Sequence, residues 1–306
     1  MIADAHYDLL TIIYLAIKND CLESLKHHCR QIYGTQIKGG MLALYFTNSE
    51  LMRTELGIKR REIKPLKMLT MVDKVIKEHD LLPTPDHFLY AIEGMDYIKL
   101  QELEKLYKLG VRVIAPVWNN QNRYGSGIYS TQGLTAEGTK LIHKLIDLRV
   151  VIDLSHANEA TFWDIIGIAK TALKNGKKPL IIASHSNCYA LTAHPRNLKD
   201  EQLLAIKALK GFIGLAAVPS FCEIKDLEIQ DAYLEHFKHV KGLFGDTKNI
   251  MIAIDDCSFI DTRTIYNYEE IGIKMKQLLQ KEFNLEEIAD IASNNYFRLL
   301  KLIKAS

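Results

Sequence analysis

Short apolar runs recur along the chain, and longer segments with helical spacing of apolar residues separate them. Turn residues bound eight of these runs, at residues 2–5, 41–46, 88–92, 111–116, 150–154, 180–183, 212–218 and 250–254. Most of the runs are apolar at successive positions, which is typical of parallel strands that helices cover on both faces. The pattern therefore predicts eight buried parallel strands.

The intervening segments have the spacing of amphipathic helices. Segment 134–148 is the clearest, with Thr135 as its expected N-cap and one apolar stripe formed by Leu141, Ile142, Leu145 and Ile146. Segments 159–173 and 202–209 have similar spacing, and we expect the tail, 285–303, to form a single closing helix. Eight strand–helix units predict the α/β class and a closed (β/α)8 TIM barrel.

We expect residues 1–306 to form a single domain. The sequence contains no Pro/Gly/Ser-rich linker, no low-complexity tract and no internal repeat. A doubly wound open sheet is the alternative arrangement of the same elements. However, no GxGxxG follows the first strand and no GxxxxGK[ST] occurs in the sequence, so the usual phosphate-binding loops are missing.

Composition narrows the classes of partner and the compartment. The 306 residues are 48% hydrophobic and 25% charged, which excludes a disordered or fibrous chain. The net charge of +2 gives no support for binding to nucleic acid or to an anionic membrane. The five cysteines include no CxxC pair, and neither a secretory signal nor an apolar run of ~18 residues is present. We therefore expect reduced thiols and a cytoplasmic location.

A TIM barrel places its chemistry directly after the C-terminal ends of its strands. Polar residues that can bind metals or transfer protons follow five of the predicted strands. They are His6 and Asp8 after the first, Glu93 after the third, His156 after the fifth, His185 after the sixth, and Asp255 with Asp256 after the eighth. His6 and Asp8 are two positions apart in an extended segment, so both side chains can serve one metal.

Three imidazoles and two carboxylates form a nitrogen and oxygen ligand set without a thiolate. Such a set suits Zn²⁺, and less decisively Mn²⁺, Fe²⁺ or Co²⁺. Five ligands exceed the needs of one tetrahedral zinc ion and suit two ions ~3.5–4 Å apart. Taken singly, each residue is better explained as a structural residue, such as a helix cap or a core hydrogen-bonding group, than as a metal ligand. Their joint position at the strand ends favours a metal centre.

The sequence resembles the membrane (renal) dipeptidases, peptidase family M19, in the amidohydrolase superfamily. The likeness covers nearly the whole chain. Its motifs are DAHYD at 4–8, IEG at 92–94, GLTAEG at 133–138, IDLSH at 152–156, ASHSN at 183–187 and HPRNL at 194–198. The succession of DLSH, SHS and HPRN is specific, whereas HxD alone is not.

The resemblance implies a role for each matching residue. It places His6 and Asp8 on one zinc ion, His156 and His185 on a second, and Glu93 as a catalytic bridge between them. It makes Arg196 the residue that binds the terminal carboxylate of the substrate, for which a planar guanidinium is well suited. Asp255 matches the catalytic acid and base after the eighth strand, and a shift of one position would make it Asp256.

The sequence departs from the best known animal members of this family after the fourth strand. Trp118 stands where those members have a histidine, and an indole can donate a hydrogen bond but cannot do acid–base work. We expect Trp118 and Asn119 to shape the substrate pocket, and Tyr124 with the rest of the loop 119–127 to line it. The substitution therefore bears on the expected substrate preference and not on the expected activity.

The resemblance implies hydrolysis of the amide bond of free dipeptides, and it leaves open whether a D-residue is accepted at the C-terminal position. A hydroxide that bridges the two zinc ions would attack the carbonyl carbon, and Asp255 would pass the proton to the leaving amine. Two alternatives remain open at this point. The first is a metal-dependent amidohydrolase for another small amide or a lactone, and the second is a non-catalytic, metal-stabilised binding protein. The sequence leaves the oligomeric state open, with a homodimer as one option.

Overall fold

The computed structural model describes residues 1–54, 56–255 and 270–305. Eight parallel strands form a closed barrel, each paired with its neighbours in chain order and β8 paired with β1. The strands are β1 Ile2–Tyr7, β2 Ile37–Tyr45, β3 Phe88–Glu93, β4 Val111–Ala115, β5 Val151–Asp153, β6 Ile181–Ala183, β7 Phe212–Ala216 and β8 Ile250–Ala253. Each predicted apolar run overlaps one strand, so the predicted TIM barrel is confirmed.

Helices lie between the strands and cover the outside of the barrel. Those in the described residues are α1 Leu9–Lys18, α2 Leu22–Ile32, α3 Ser49–Thr54, α4 Pro65–Glu78, α5 Leu103–Lys108, α6 Ala136–Asp147, α7 Glu159–Lys174, α8 Asp200–Ala208, α9 Pro219–Cys222, α10 Ile229–Phe244, α11 Ile271–Leu279, α12 Leu285–Ala289 and α13 Asn295–Lys304. Thr135 caps α6 as predicted, because its side chain accepts a hydrogen bond from the Gly138 N–H. Among the described residues, no helix has the length and apolar character that a membrane span requires.

The tail differs from the single regular helix that the spacing predicts. Helices α12 and α13 are joined by a π-helical turn, Asp290–Asn294. The turn places the fully buried Asn295 against the start of β8, where its amide donates to the carbonyls of Thr247 (2.7 Å) and Ile250 (2.6 Å). A π turn inserts one residue into the helical repeat, and hydrophobic spacing alone does not reveal such an insertion.

The apolar core has two parts. The larger part lies between the strands and the surrounding helices. The smaller part fills the inside of the barrel with strand residues such as Ala5, Ala43 and Val113, and includes Tyr296 and Leu299 of α13. Because α13 packs under the N-terminal ends of the strands, that end of the barrel is closed. The opposite, C-terminal end is left to the loops that carry the polar residues.

Candidate metal centre

The structure brings the sequence-predicted ligands together at the C-terminal end of the barrel. His6 and Glu93 lie at the ends of β1 and β3, and the others follow the ends of their strands by one to three residues. One nitrogen or oxygen atom from each of His6, Glu93 and His185 lies within 4.8 Å of the others. The same holds for His6, Asp8 and Asp255, so His6 belongs to both groups.

Glu93 occupies the middle of the cluster. Its Oε2 lies 3.5 Å from His6 Nε2, while its Oε1 lies 2.5 Å from His156 Nε2 and 3.4 Å from His185 Nε2. One carboxylate therefore faces the imidazoles of both predicted metal positions with different oxygens. The following residue, Gly94, turns the chain away with φ +80°, and a Cβ there would lie 2.0 Å from the Phe46 carbonyl oxygen. Only glycine fits this position.

Asp255 lies on the His6 side of the cluster. Its Oδ1 is 4.0 Å from His6 Nε2, and its backbone N–H donates to the His6 carbonyl at 3.2 Å. The backbone is left-handed at Asp255, with φ 52°, which is uncommon for a non-glycine residue and holds the side chain at the strand end. The alternative residue, Asp256, lies outside the described residues.

The donor atoms fit a divalent cation. His156 Nδ1 is 2.6 Å from Asn119 Oδ1, and an imidazole that donates through Nδ1 has a free lone pair on Nε2. That Nε2 lies only 2.9 Å from His185 Nε2 and 2.5 Å from Glu93 Oε1, so acceptor atoms face one another. Among the described residues, the buried His6 Nε2 makes no hydrogen bond. A cation bound between these atoms would remove the repulsion between the facing acceptors and would give His6 Nε2 a partner. The nitrogen and oxygen ligands match the preference of zinc.

Burial and the charges within the cluster shift the pKa values of its members in different directions. Burial raises the pKa of Glu93, but the neighbouring His156 and His6 hold it well below its ordinary value. Burial, assisted by the charge of Arg196, lowers the pKa of His156 to about 4, and burial with the charge of His6 lowers that of His185. Burial also lowers the pKa of His6, but Glu93, Asp255 and Asp8 outweigh it and raise the value to about 10. The carboxylates around His6 therefore favour positive charge at this position.

Arg196 lies beside this cluster in a cavity of about 290 Å³ that His156 also lines. Its side chain is buried, with 4% of the residue exposed, and within the described part of the chain it forms no ion pair. Its hydrogen bond to the His185 carbonyl is long, at 3.4 Å. Burial lowers the pKa of Arg196, although Asp255 and Glu93 oppose this. A buried guanidinium that has no ion-pair partner among the described residues is suited to bind an anionic group in the cavity.

A family model for the membrane dipeptidases, peptidase family M19, matches residues 51–306. The chain belongs to this family.

Individual relatives agree with this membership over shorter stretches. A Klebsiella pneumoniae protein from the pqqA 5′ region is 41% identical over 123 residues, 38% of this chain and 42% of that protein. Dipeptidase verJ of Clonostachys rogersoniana is 28% identical over 187 residues, 56% of this chain and 46% of the relative. The chain therefore spans less than half the length of these curated relatives.

A solved structure matches almost the whole fold. A metallo peptidase from Rhodobacter sphaeroides, liganded with a phosphinate mimic of the dipeptide L-Ala-D-Ala, superposes with a TM-score of 0.73. The match covers 98% of each chain at 20% identity, so it shows that the M19 chain described here shares that fold.

Two residues of this M19 chain have contacts that the sequence did not predict. Asn119 directs its amide oxygen at His156, as described above, and thus orients a predicted ligand. Trp118 stacks on the same imidazole, with 5.5 Å between ring centroids and 28° between the planes. Contact of either residue with substrate stays a prediction. The prediction that Tyr124 lines the pocket is wrong, because Tyr124 is fully buried and its hydroxyl donates to the Ile98 carbonyl at 2.7 Å.

From the sequence, Asp153 is expected to be a structural residue at a strand end, with orientation of a ligand histidine as the alternative, and Ser184 has no predicted role. Asp153 ends β5 and accepts hydrogen bonds from the backbone N–H groups of Ser155 (3.0 Å) and Ser184 (2.9 Å). Both residues lie in the M19 motifs, directly beside or near a predicted ligand. That proximity was the available signal, but the spatial contact between β5 and β6 is needed to interpret it.

Proposed function

We propose that this protein is a binuclear zinc-dependent dipeptidase that hydrolyses the amide bond of free dipeptides. The observation that carries the proposal is the position of Arg196, a buried guanidinium without an ion-pair partner in the described residues, in a cavity shared with His156. It offers a carboxylate-binding group next to a cluster of ligands, which is what a free dipeptide requires. Membership of M19 and the names of the relatives support the same activity.

Two groups of residues would hold the metal ions. His6 and Asp8 would bind one ion, His156 and His185 the other, and Glu93 would bridge them. Bound zinc would supply Lewis acidity, which makes water more acidic and polarises the scissile carbonyl. The remaining chemistry belongs to side chains of the chain itself.

Arg196 would bind the C-terminal carboxylate of the substrate by charge-assisted hydrogen bonds. The carboxylate of Asp255, 4.0 Å from His6 Nε2, would take a proton from the attacking water and pass it to the leaving amine. Because the C-terminus would be fixed in a cavity of about 290 Å³, a dipeptide fits and a long chain passing through the site does not. The phosphinate mimic of L-Ala-D-Ala bound by the Rhodobacter relative supports a D-residue at the C-terminal position.

The test is a substrate panel with zinc-reconstituted protein. The panel contains dipeptides with L- or D-residues at the C-terminal position, their C-terminal amides, N-acyl amino acids and lactones, and metal content is measured in parallel. We expect two zinc ions per chain, hydrolysis of free dipeptides, and loss of activity with a chelator. Two bound zinc ions without any hydrolysis would contradict an enzymatic role.

A second candidate is hydrolysis of another small amide or of a lactone. Trp118 favours it, because an indole stacks on His156 where the animal members have a histidine. Turnover of lactones or N-acyl amino acids, with dipeptides and their amides left intact, would support this candidate over the first.

A further inference from the structure

One buried hydroxyl lies between the two halves of the candidate metal centre. Ser184 follows β6 directly and precedes His185, with 1% of the residue exposed. Its Oγ lies 2.5 Å from Asp153 Oδ2, 2.7 Å from His185 Nδ1 and 3.3 Å from His6 Nδ1. A single side chain thus touches one predicted ligand of each metal position.

The hydrogen-bonding capacity of a hydroxyl assigns these contacts. A serine hydroxyl has one hydrogen to donate and can accept two hydrogen bonds. A carboxylate only accepts, so the hydrogen of Ser184 goes to Asp153. The two remaining positions on Oγ then accept from the nearer partners, His185 and His6, rather than from the Ser155 hydroxyl at 3.4 Å, and each imidazole carries a hydrogen on Nδ1. As a result, Nε2 of both rings is left as the metal-binding atom.

Two backbone hydrogen bonds fix the orientation of the Asp153 carboxylate. Its Oδ1 accepts the two backbone N–H groups of Ser155 and Ser184, which directs Oδ2 to the hydroxyl. The neighbouring strand also approaches closely, since a Cβ at Gly214 of β7 would lie 1.8 Å from the Ser184 carbonyl oxygen. The backbone around the hydroxyl is therefore fixed on both sides.

We propose that Ser184 is a positioning residue that sets the tautomer of one histidine ligand at each metal position, with Asp153 as its anchor. The inference rests on the proposed function, because it presumes that His6 and His185 bind metal. Contacts of this kind around ligand histidines typically change metal affinity by about 10–100-fold. The shorter contact to His185 makes the effect larger at the His185 position than at the His6 position.

The test compares zinc binding by the metal-free forms of the full chain and of its variants. Zinc is titrated against a competing chelator, and bound metal is counted after dialysis. For Ser184→Ala we expect both zinc affinities to fall, by about 10–100-fold at the His185 position and by less at the His6 position. Ser126→Ala is the matched control, because it removes a fully buried hydroxyl that has no hydrogen-bond partner among the described residues. It should bind both ions like the parent protein.

A second variant acts on the same hydroxyl without changing side-chain volume. In Asp153→Asn, an amide N–H faces Ser184, so the hydroxyl turns its hydrogen towards another acceptor, the nearest of which is an imidazole, His185 Nδ1 at 2.7 Å, ahead of Ser155 Oγ at 3.4 Å. That imidazole then carries its hydrogen on Nε2, and we expect one zinc position to be lost or strongly weakened. Unfolding of the metal-free variants by urea shows whether each retains the parent fold, so a loss of zinc can be attributed to the ligands.

The outcomes separate the inference from the function on which it rests. If the parent chain binds two zinc ions and folded Ser184→Ala binds both with unchanged affinity, the positioning role is overturned and the metal centre stands. If only the His185 position weakens, the link between the two positions is overturned. If the parent chain binds no zinc at all, the proposed function itself fails.

Discussion

His236 gives the stability of this protein a defined dependence on pH. The side chain belongs to α10 and is fully buried. Its Nδ1 accepts a hydrogen bond from the Cys188 N–H at 3.1 Å, while Nε2 lies 3.3 Å from the Cys222 carbonyl oxygen. It thus connects the loop after β6, which carries His185 and Arg196, to the loop after β7. Protonation of Nδ1 would place a hydrogen against the Cys188 N–H and break this connection.

The magnitude follows from the two pKa values. Burial, together with the charge of His239, lowers the pKa of His236 to about 4, although the hydrogen bond to Cys222 opposes this. An unfolded histidine has a pKa of about 6.5. Between these pKa values the unfolded chain binds a proton at His236 and the folded chain does not. The free energy of unfolding therefore has its full value above about pH 6.5 and decreases as the pH falls towards 4. The gap corresponds to about 3 kcal/mol in the free energy of unfolding.

The assay measures urea unfolding of metal-free protein from pH 7 to pH 4, for the parent chain and for His236→Asn. An asparagine can still accept the Cys188 N–H but does not titrate. We expect the variant to be less stable at pH 7, and its deficit to shrink by about 3 kcal/mol as the pH reaches 4. His143→Asn, at an exposed position on α6, should preserve the pH dependence of the parent. If His236→Asn and the parent lose stability in parallel across this range, the reasoning is refuted.

Three further outcomes follow from the site and the barrel. Arg196→Ala should lower kcat/KM for free dipeptides by about 100-fold, because a hydrogen-bonded charge pair contributes up to about 3 kcal/mol, and C-terminal dipeptide amides should show no such difference between parent and variant. Asn119→Ala should weaken zinc binding at the His156 position by about 10–100-fold in a chelator competition, and an unchanged affinity would remove Asn119 from the centre. Gly214→Ala should lower the melting temperature strongly, because its Cβ would meet the Ser184 carbonyl oxygen at 1.8 Å. Gly167→Ala on α7, where a Cβ meets nothing within 4 Å, should instead raise it slightly, and equal effects would contradict the packing argument.

The barrel itself was predictable because its signal is local. A buried parallel strand is an apolar run, and eight of them separated by helical segments leave few arrangements besides a closed barrel. The ligand positions were accessible for the same reason, since the ends of the strands mark one face of the fold. His6, Glu93 and His185 follow this rule, and the structure brings them together.

The contacts within the site depend on rotations that the sequence does not encode locally. Asn119 and Tyr124 lie in the same loop, yet one side chain faces His156 and the other is fully buried against Ile98. Polarity and spacing do not distinguish these orientations, because the loop after β4 has no repeating geometry. The π turn before α13 is a similar case. The hydrogen bonds of the buried Asn295 amide stabilise a departure from the regular helical repeat there.

The floor of the barrel has a consequence for the order of folding. The hydroxyl of Tyr296 on α13 shares its one hydrogen between the carbonyl oxygens of Gly40 in β2 (2.8 Å) and of His87 just before β3 (2.9 Å), and the first of these contacts spans 256 positions. The earliest strands therefore remain uncovered from below during synthesis until the segment containing α13 has emerged. Contacts that are so distant in the chain slow folding. A circular permutation that places α13 ahead of β1 should accordingly let the first strands be covered as soon as they are synthesised.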